Sequence, residues 1–231
     1  MLVEPVIPLP DTPDIRQSIV DTCRCLHDKG HFIGTWGNIS VRLEEGMLIT
    51  PSALNYEIMT CDDLVLIGWE EFKVIKGHRL PSSESRLHYS ILQCRPDIGA
   101  VIHTHSRYLT ALSTAHKSLP VCVEDMAQIG GGEIKCTKYI PGSSHQELAQ
   151  AACEAMGQEA TAVLLANHGP VVGGRTLEES VVAVDILEKA AVSFIFASLL
   201  GGCIPIPDYH VKEERERFLF KYGKVSDRVL D

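Results

Sequence analysis

The chain has 231 residues, 45% of them hydrophobic and 22% charged, with a formal net charge of −9. That balance fits a soluble globular protein with a sizeable core, and it excludes both the polarity of a disordered chain and the long apolar spans of an integral membrane protein. It also argues against general nucleic-acid binding, which needs a positive counter-surface, while leaving room for a small anion held by local donors.

Met1 to Pro10 shows no basic segment followed by a long apolar one, so no secretory signal is expected and the cytoplasm is the expected compartment. Pro13 opens a helix in which Ile15, Ile19, Cys23 and Leu26 recur at helical spacing up to Gly30. A glycine-punctuated loop from Gly34 leads into a short strand ending at Arg42, and Met47 to Thr50 returns as its hairpin partner after the turn at Glu44 to Gly46. Pro51 to Asn55 breaks the pattern. Leu64 to Trp69 and Phe72 to Ile75 predict a second antiparallel pair, and Pro81 introduces a helix from about Ser83 to Gln93.

The apolar run Gly99-Ala-Val-Ile-His-Thr-His105 reads as a strand, Tyr108 to Ala115 as a short helix and Leu119 to Val123 as an extended piece. Ile129 to Gly132 is expected to be a loop or tight turn, because consecutive glycines stabilise neither regular element. Pro141 to His145 opens a helix to Met156, with Ser143 or Ser144 as cap and Glu147 near the third helical position. Strands over 161–166 and 170–173 flank His168, and the helix opened by Thr176 runs to the Gly201-Gly202 pair. Pro205 to Pro207 and the charged segment Lys212 to Arg217 form a C-terminal extension with a last helix. No repeat, low-complexity tract or linker interrupts the chain, so a single domain over residues 1–231 is expected, with a short N-terminal arm. The eight cysteines include no Cys-x-x-Cys spacing, and buried free thiols are the expectation.

In an extended strand His103 and His105 would point to one face, where two imidazoles can converge on a metal ion or find ordinary hydrogen-bond partners. A third histidine, His168, ends another apolar run. Three neutral imidazoles with an open position are the ligand pattern of a catalytic zinc site. Glu84, 19 residues before His103, suits either a first-turn carboxylate favoured by a helix dipole or an acid/base group beside such a cation.

Taken together, Gly37-Asn-Ile-Ser-Val-Arg42, Ile49-Thr-Pro-Ser52, Pro81-Ser-Ser-Glu84, Val101-Ile-His-Thr-His105 and Asn167-His-Gly169 resemble the class II aldolase/adducin family over about residues 13 to 200. The resemblance implies an α/β/α three-layer sandwich around a central, mainly antiparallel sheet. It also implies a zinc-dependent (Zn2+) enzyme, with another divalent cation as the alternative, whose active sites lie at the subunit interfaces of a homotetramer. It implies His103, His105 and His168 as metal ligands and Glu84 as the catalytic acid/base. Gly37, Asn38, Ser52, Ala53, Ser82 and Ser83 correspond to the substrate-phosphate site, with Ala53 standing where an aldolase pattern of the family has glycine. Where that pattern has a tyrosine serving the aldehyde half, this chain has Glu124 and Asp125, which become catalytic candidates. The expected reaction is reversible cleavage of a phosphorylated ketose to dihydroxyacetone phosphate and a short aldehyde through a metal-stabilised enediolate. A pentulose-phosphate 4-epimerase and a sugar-acid-phosphate decarboxylase share that chemistry and stay open as alternatives. A non-catalytic adducin-like interaction module is disfavoured by retention of the three histidines and Glu84.

Overall fold

The computed structural model describes residues 4–222; the first three residues of the arm and the last nine of the expected domain lie outside that range. One seven-stranded sheet organises the chain. In chain order the strands are β1 (Asn38–Arg42), β2 (Gly46–Ile49), β3 (Val65–Gly68), β4 (Val74–Lys76), β5 (Ala100–His103), β6 (Ala162–Leu165) and β7 (Gly169–Gly174). Their spatial order is β4-β3-β2-β1-β5-β7-β6, and every neighbouring pair is antiparallel.

Side chains alternate across this sheet, as the two-residue period of a strand requires. Ile39, Leu48, Leu66, Ala100, Ile102, Leu164 and Val172 face one apolar layer; Met47, Ile49, Val65, Ile67, Val101, Val163 and Val171 face the other. The first layer is covered by α1 (Pro13–Asp28), α3 (Arg107–Thr114), α4 (Glu124–Gly130), α6 (Leu177–Leu199) and α7 (Asp208–Phe220). The second is covered by α2 (Ser85–Cys94) and α5 (His145–Met156). With both faces buried, the inner strands β2, β3 and β5 read as apolar runs, the edge strand β4 stays exposed, and the result is the expected three-layer α/β/α sandwich. None of the described helices is long and apolar enough to cross a membrane.

Local capping follows the sequence at α1 and α6, where the side chains of Thr12 and Thr176 accept hydrogen bonds from the backbone N–H groups of Ile15 and Glu179. Ser144 occupies the N-cap of α5 without a side-chain cap hydrogen bond. Two expectations need correction. β5 stops at His103, so His105 lies beyond the strand. Glu124 to Gly130 is helical, which places Ile129 and Gly130 in the last turn of α4 instead of a loop; Met126, Ala127 and Ile129 bury its apolar face, and left-handed Gly131 (φ 72) ends it. Leu119 to Val123 is the extended piece expected, bridged at Leu119 to Ile134 and ending with Val123 as the extended N-cap of α4. All eight cysteines are free, but only Cys23 is buried.

Candidate active site

Antiparallel pairing brings four chain segments to one end of the sheet. Asn38, at the start of β1, pairs with His103 at the end of β5, and His103 pairs in turn with Val171 of β7. The β6–β7 turn therefore hangs His168 over the same end. It is a tight turn, closed by the His168 N–H donating to the Leu165 carbonyl at 3.0 Å, with Asn167 in the left-handed region at φ 58. On the other side, β2 runs out through Thr50, whose N–H donates to the Ile39 carbonyl at 3.1 Å.

The three imidazoles converge. One ligand nitrogen from each of His103, His105 and His168 falls within 4.8 Å of the others, and His103 Nε2 lies 3.1 Å from His105 Nε2. His103 is fully buried, and its Nδ1 lies 2.9 Å from the Pro170 carbonyl. A carbonyl only accepts, so Nδ1 carries the proton and Nε2 presents its lone pair to the cluster. Burial lowers the pKa of His168, and it pushes His105 down to about 4 with His103 adding to the effect. Those two rings are neutral at physiological pH.

Glu84 completes the cluster from the N-cap position of α2. Its side chain makes no cap hydrogen bond to the helix; instead Oε2 lies 3.4 Å from His103 Nε2 and Oε1 lies 3.2 Å from His168 Nε2. The Asn38 amide donates to Oε2 at 2.8 Å. Burial alone would raise the carboxyl, but its proximity to the His103 and His168 imidazoles and the Asn38 hydrogen bond outweigh it and hold the group at about 2. Glu84 Oε1 and Asn38 Oδ1 are buried without a hydrogen-bond partner. An orphaned carboxylate oxygen beside the His168 imidazole fits a cation or a donor-rich ligand.

Beside this cluster, a bridge between Pro51 and Pro81 draws two polar turns together, with the Ser52 N–H donating to the Leu80 carbonyl and the Ser82 N–H to the Thr50 carbonyl. Ser82 is buried and its Oγ accepts the Glu84 N–H at 3.3 Å, whereas Ser52, Ala53 and Ser83 are exposed. Ala53 holds φ 54, the left-handed region in which glycine is free and alanine strained by roughly 1 kcal/mol. Gly37, at φ 125, precedes Asn38 where a Cβ would meet the Phe32 ring at 2.2 Å. Glu124 and Asp125 do not join this group: they form the first turn of α4, where Asp125 pairs with Lys189 of α6.

Residues that sequence reasoning passed over also meet here. His88, one turn after Glu84, is fully buried; burial pushes it down to about 3, Nδ1 lies 2.8 Å from Ser40 Oγ, and Nε2 has no partner. His116 Nε2 lies 2.6 Å from Asn167 Oδ1, bracing the turn that carries His168. His31 and Asp185 stand behind His105. None of these four sits in a motif, and each is joined to the site by a contact distant in sequence except His88, whose four-residue spacing from Glu84 was a usable signal.

A family profile described as Class II Aldolase and Adducin N-terminal domain matches residues 17–195. The chain belongs to the class II aldolase/adducin family. It is 36% identical over 219 residues to a 5-methylthioribulose-1-phosphate/5-deoxyribulose-1-phosphate aldolase of Rhodospirillum rubrum, covering 93% of this chain and 94% of the relative. An L-fuculose phosphate aldolase of Haemophilus influenzae is 32% identical over 216 residues, covering 94% and 97% of the two chains. Among solved structures, an L-fuculose 1-phosphate aldolase superposes with a TM-score of 0.85 at 32% identity, covering 91% of this chain and 99% of that one.

As a member of the class II aldolases, the chain is an enzyme of the carbon–carbon lyase type, and enzymes of this class depend on a metal. The donor set fits that requirement. Tetrahedral coordination with bonds of about 2.05 Å places ligand nitrogens roughly 3.3 Å apart, close to the 3.1 Å between His103 and His105.

Proposed function

We propose that the chain is a zinc-dependent aldolase that reversibly cleaves a ketose 1-phosphate to dihydroxyacetone phosphate and a short aldehyde. The observation that carries this reading is the convergence of His103, His105 and His168 with the Glu84 carboxylate, beside hydroxyl-bearing turns at Ser52 and Ser82-Ser83. When bound by the three histidines, the cation supplies positive charge against the negative charge that develops on the carbonyl and hydroxyl oxygens of the substrate.

The remaining work falls to side chains. Glu84 is ionised at neutral pH and accepts the proton exchanged at the carbon next to the carbonyl; Asn38 fixes its Oε2 and leaves Oε1 facing the cluster. Ser52, Ser82, Ser83 and Asn38, with the backbone at Gly37 and Ala53, hold the phosphate, which needs donors and not a net positive protein. We assign Glu124 and Asp125 to the aldehyde end. Because they make no contact with their own chain's cluster, that role requires approach across a subunit interface, in keeping with a cytoplasmic homotetramer of single-domain subunits.

The test is to incubate the zinc-loaded protein with ketose 1-phosphates, pentulose 5-phosphates and sugar-acid phosphates and to identify products by mass. The Rhodospirillum relative makes 5-deoxy and 5-methylthio ketose 1-phosphates the first members of the panel. Dihydroxyacetone phosphate plus an aldehyde is the expected outcome. A 4-epimer or carbon dioxide as the sole product would replace the aldolase reading with one of its chemical neighbours.

A further inference from the structure

Strand geometry does not place His105, because β5 ends two residues earlier. Its position comes instead from His31, just beyond the end of α1. The His105 N–H donates to the His31 carbonyl at 3.1 Å. The ring of the same residue reaches both ways: Nδ1 lies 2.8 Å from Ser106 Oγ, and Nε2 lies 3.1 Å from Asp185 Oδ1 on α6. Ser106 Oγ is in turn 2.7 Å from Thr104 Oγ1, which accepts the Ser106 N–H at 3.3 Å. One residue thus holds the main chain of His105 and, through hydroxyls, both of its neighbours.

One order of protons that satisfies the whole array starts at Asp185. A carboxylate accepts, so Nε2 of His31 carries a proton and donates to it. Nδ1 then accepts from the Ser106 hydroxyl, and Ser106 accepts from the Thr104 hydroxyl. Thr104 and Ser106 are fully buried and His31 is 8% exposed. Water cannot replace a lost link among the His31 Nδ1, Ser106 and Thr104 groups, and breaking one there orphans a buried polar atom. Lys29 Nζ, 2.5 Å from Asp185 Oδ2, secures the outer end. His31 makes no contact with the Nε2 cluster and therefore acts on it only through His105.

We propose that His31, held between Asp185 and Ser106, is a positioning residue that aims the His105 imidazole and thereby sets the affinity of the three-histidine site for a divalent metal. The proposal rests on the metal reading given above, and the test separates the two. Zinc affinity of the full chain is measured by competition with a chromophoric chelator, and the site's symmetry is read from the visible spectrum of the cobalt(II) form. His31→Leu and Ser106→Ala are each expected to weaken zinc binding by about 10–100-fold, the usual cost of removing a group that orients a ligand, and to alter the cobalt spectrum. His31→Asn keeps an acceptor where Nδ1 stands and is expected to recover most of the affinity. Combining His31→Leu with Ser106→Ala should weaken binding no further than the worse single change, since both break one array.

Wild-type zinc affinity in His31→Leu would overturn the proposal. So would a His31→Asn protein as weak as His31→Leu, since that outcome reports packing and not hydrogen bonding. Should His31→Leu fail to fold, Asp185→Ala, a change at a partly exposed residue, carries the test, with a several-fold loss expected and an unchanged affinity refuting it. A wild-type chain that binds zinc no better than His168→Ala would instead refute the metal reading, and this proposal with it.

Discussion

Replacing Gly169 by alanine would separate two parts of the site that touch through their backbones. A Cβ at position 169 would stand 2.4 Å from the Thr104 carbonyl oxygen and 3.6 Å from His103 Cε1. Real Cβ contacts essentially never fall under 3.0 Å and are ordinary from 3.4 Å, so the two backbones must part by roughly 0.6–1 Å. Thr104 lies between His103 and His105, while Gly169 follows His168, so that movement opens the gap between the ligand pair and the third ligand. Zinc–nitrogen bonds of about 2.0–2.1 Å tolerate roughly 0.2 Å. A displacement several times larger costs a ligand, and we expect zinc affinity to fall by about 100-fold or more, with an overpacking penalty of about 1–3 kcal/mol in the metal-free protein. Chelator competition gives the first quantity, and melting with and without zinc gives both, because a metal that binds only the folded chain raises its melting temperature. Wild-type zinc affinity in Gly169→Ala would refute the claim that this close approach holds the three histidines around one ion.

Glu84→Gln should keep its fold and most of its metal while turnover falls about 10²–10⁴-fold; unchanged exchange of solvent deuterium into dihydroxyacetone phosphate would make Glu84 a bystander. Alanine at Ser52, Ser82 or Ser83 should raise KM for the phosphorylated ketose far more than for its dephosphorylated analogue, and equal effects on both would point to structural roles. Glu124→Gln and Asp125→Asn should shift the preference among aldehydes in the condensation direction while leaving enolisation intact, with loss of the exposed Asp125–Lys189 pair costing little stability; unchanged preference in both leaves them as ordinary surface carboxylates. Hydrogen bonding to Arg16, and secondarily to Lys76, lowers Asp11 from 3.8 to about 2 against the opposing effect of burial. A depressed carboxyl stabilises the fold above its unfolded value, so Asp11→Asn should cost about 1 kcal/mol at pH 7, and its difference from wild type should close as pH falls from 4 towards 2 in thermal melts. A gap independent of pH would deny the ion pair that role.

The sequence reveals most where one element decides an outcome by itself. Strands β2, β3, β5 and β6 are short apolar runs bounded by turn residues, and α1, α2, α5 and α6 carry helical periodicity with a proline, serine or threonine at their starts, so local chemistry and tertiary packing agree. At α4 they do not. Its last turn runs into three consecutive glycines, whose weak propensity hides a helix that exists because Met126, Ala127 and Ile129 are buried against the first layer. Propensity there is overridden by packing, which a local window does not contain.

The candidate site divides in the same way. His103 and His168 are legible because each sits at the end of an apolar strand, and the sheet's antiparallel register then brings those ends together. His105 meets them for a different reason from the one its spacing suggests: the alternation that would aim it stops at His103, and the task passes to His31, Ser106 and Asp185. Those partners are separated by 75 and 154 residues from His31, and a lone histidine after a helix carries no sign of them. A metal ligand announces itself by its type and setting. The group that aims it is an ordinary polar residue made important only by what it reaches across the fold, which is why the outer layer of this site leaves no mark in the local sequence and why substitutions there, more than at the histidines themselves, test whether the geometry or merely the composition binds the ion.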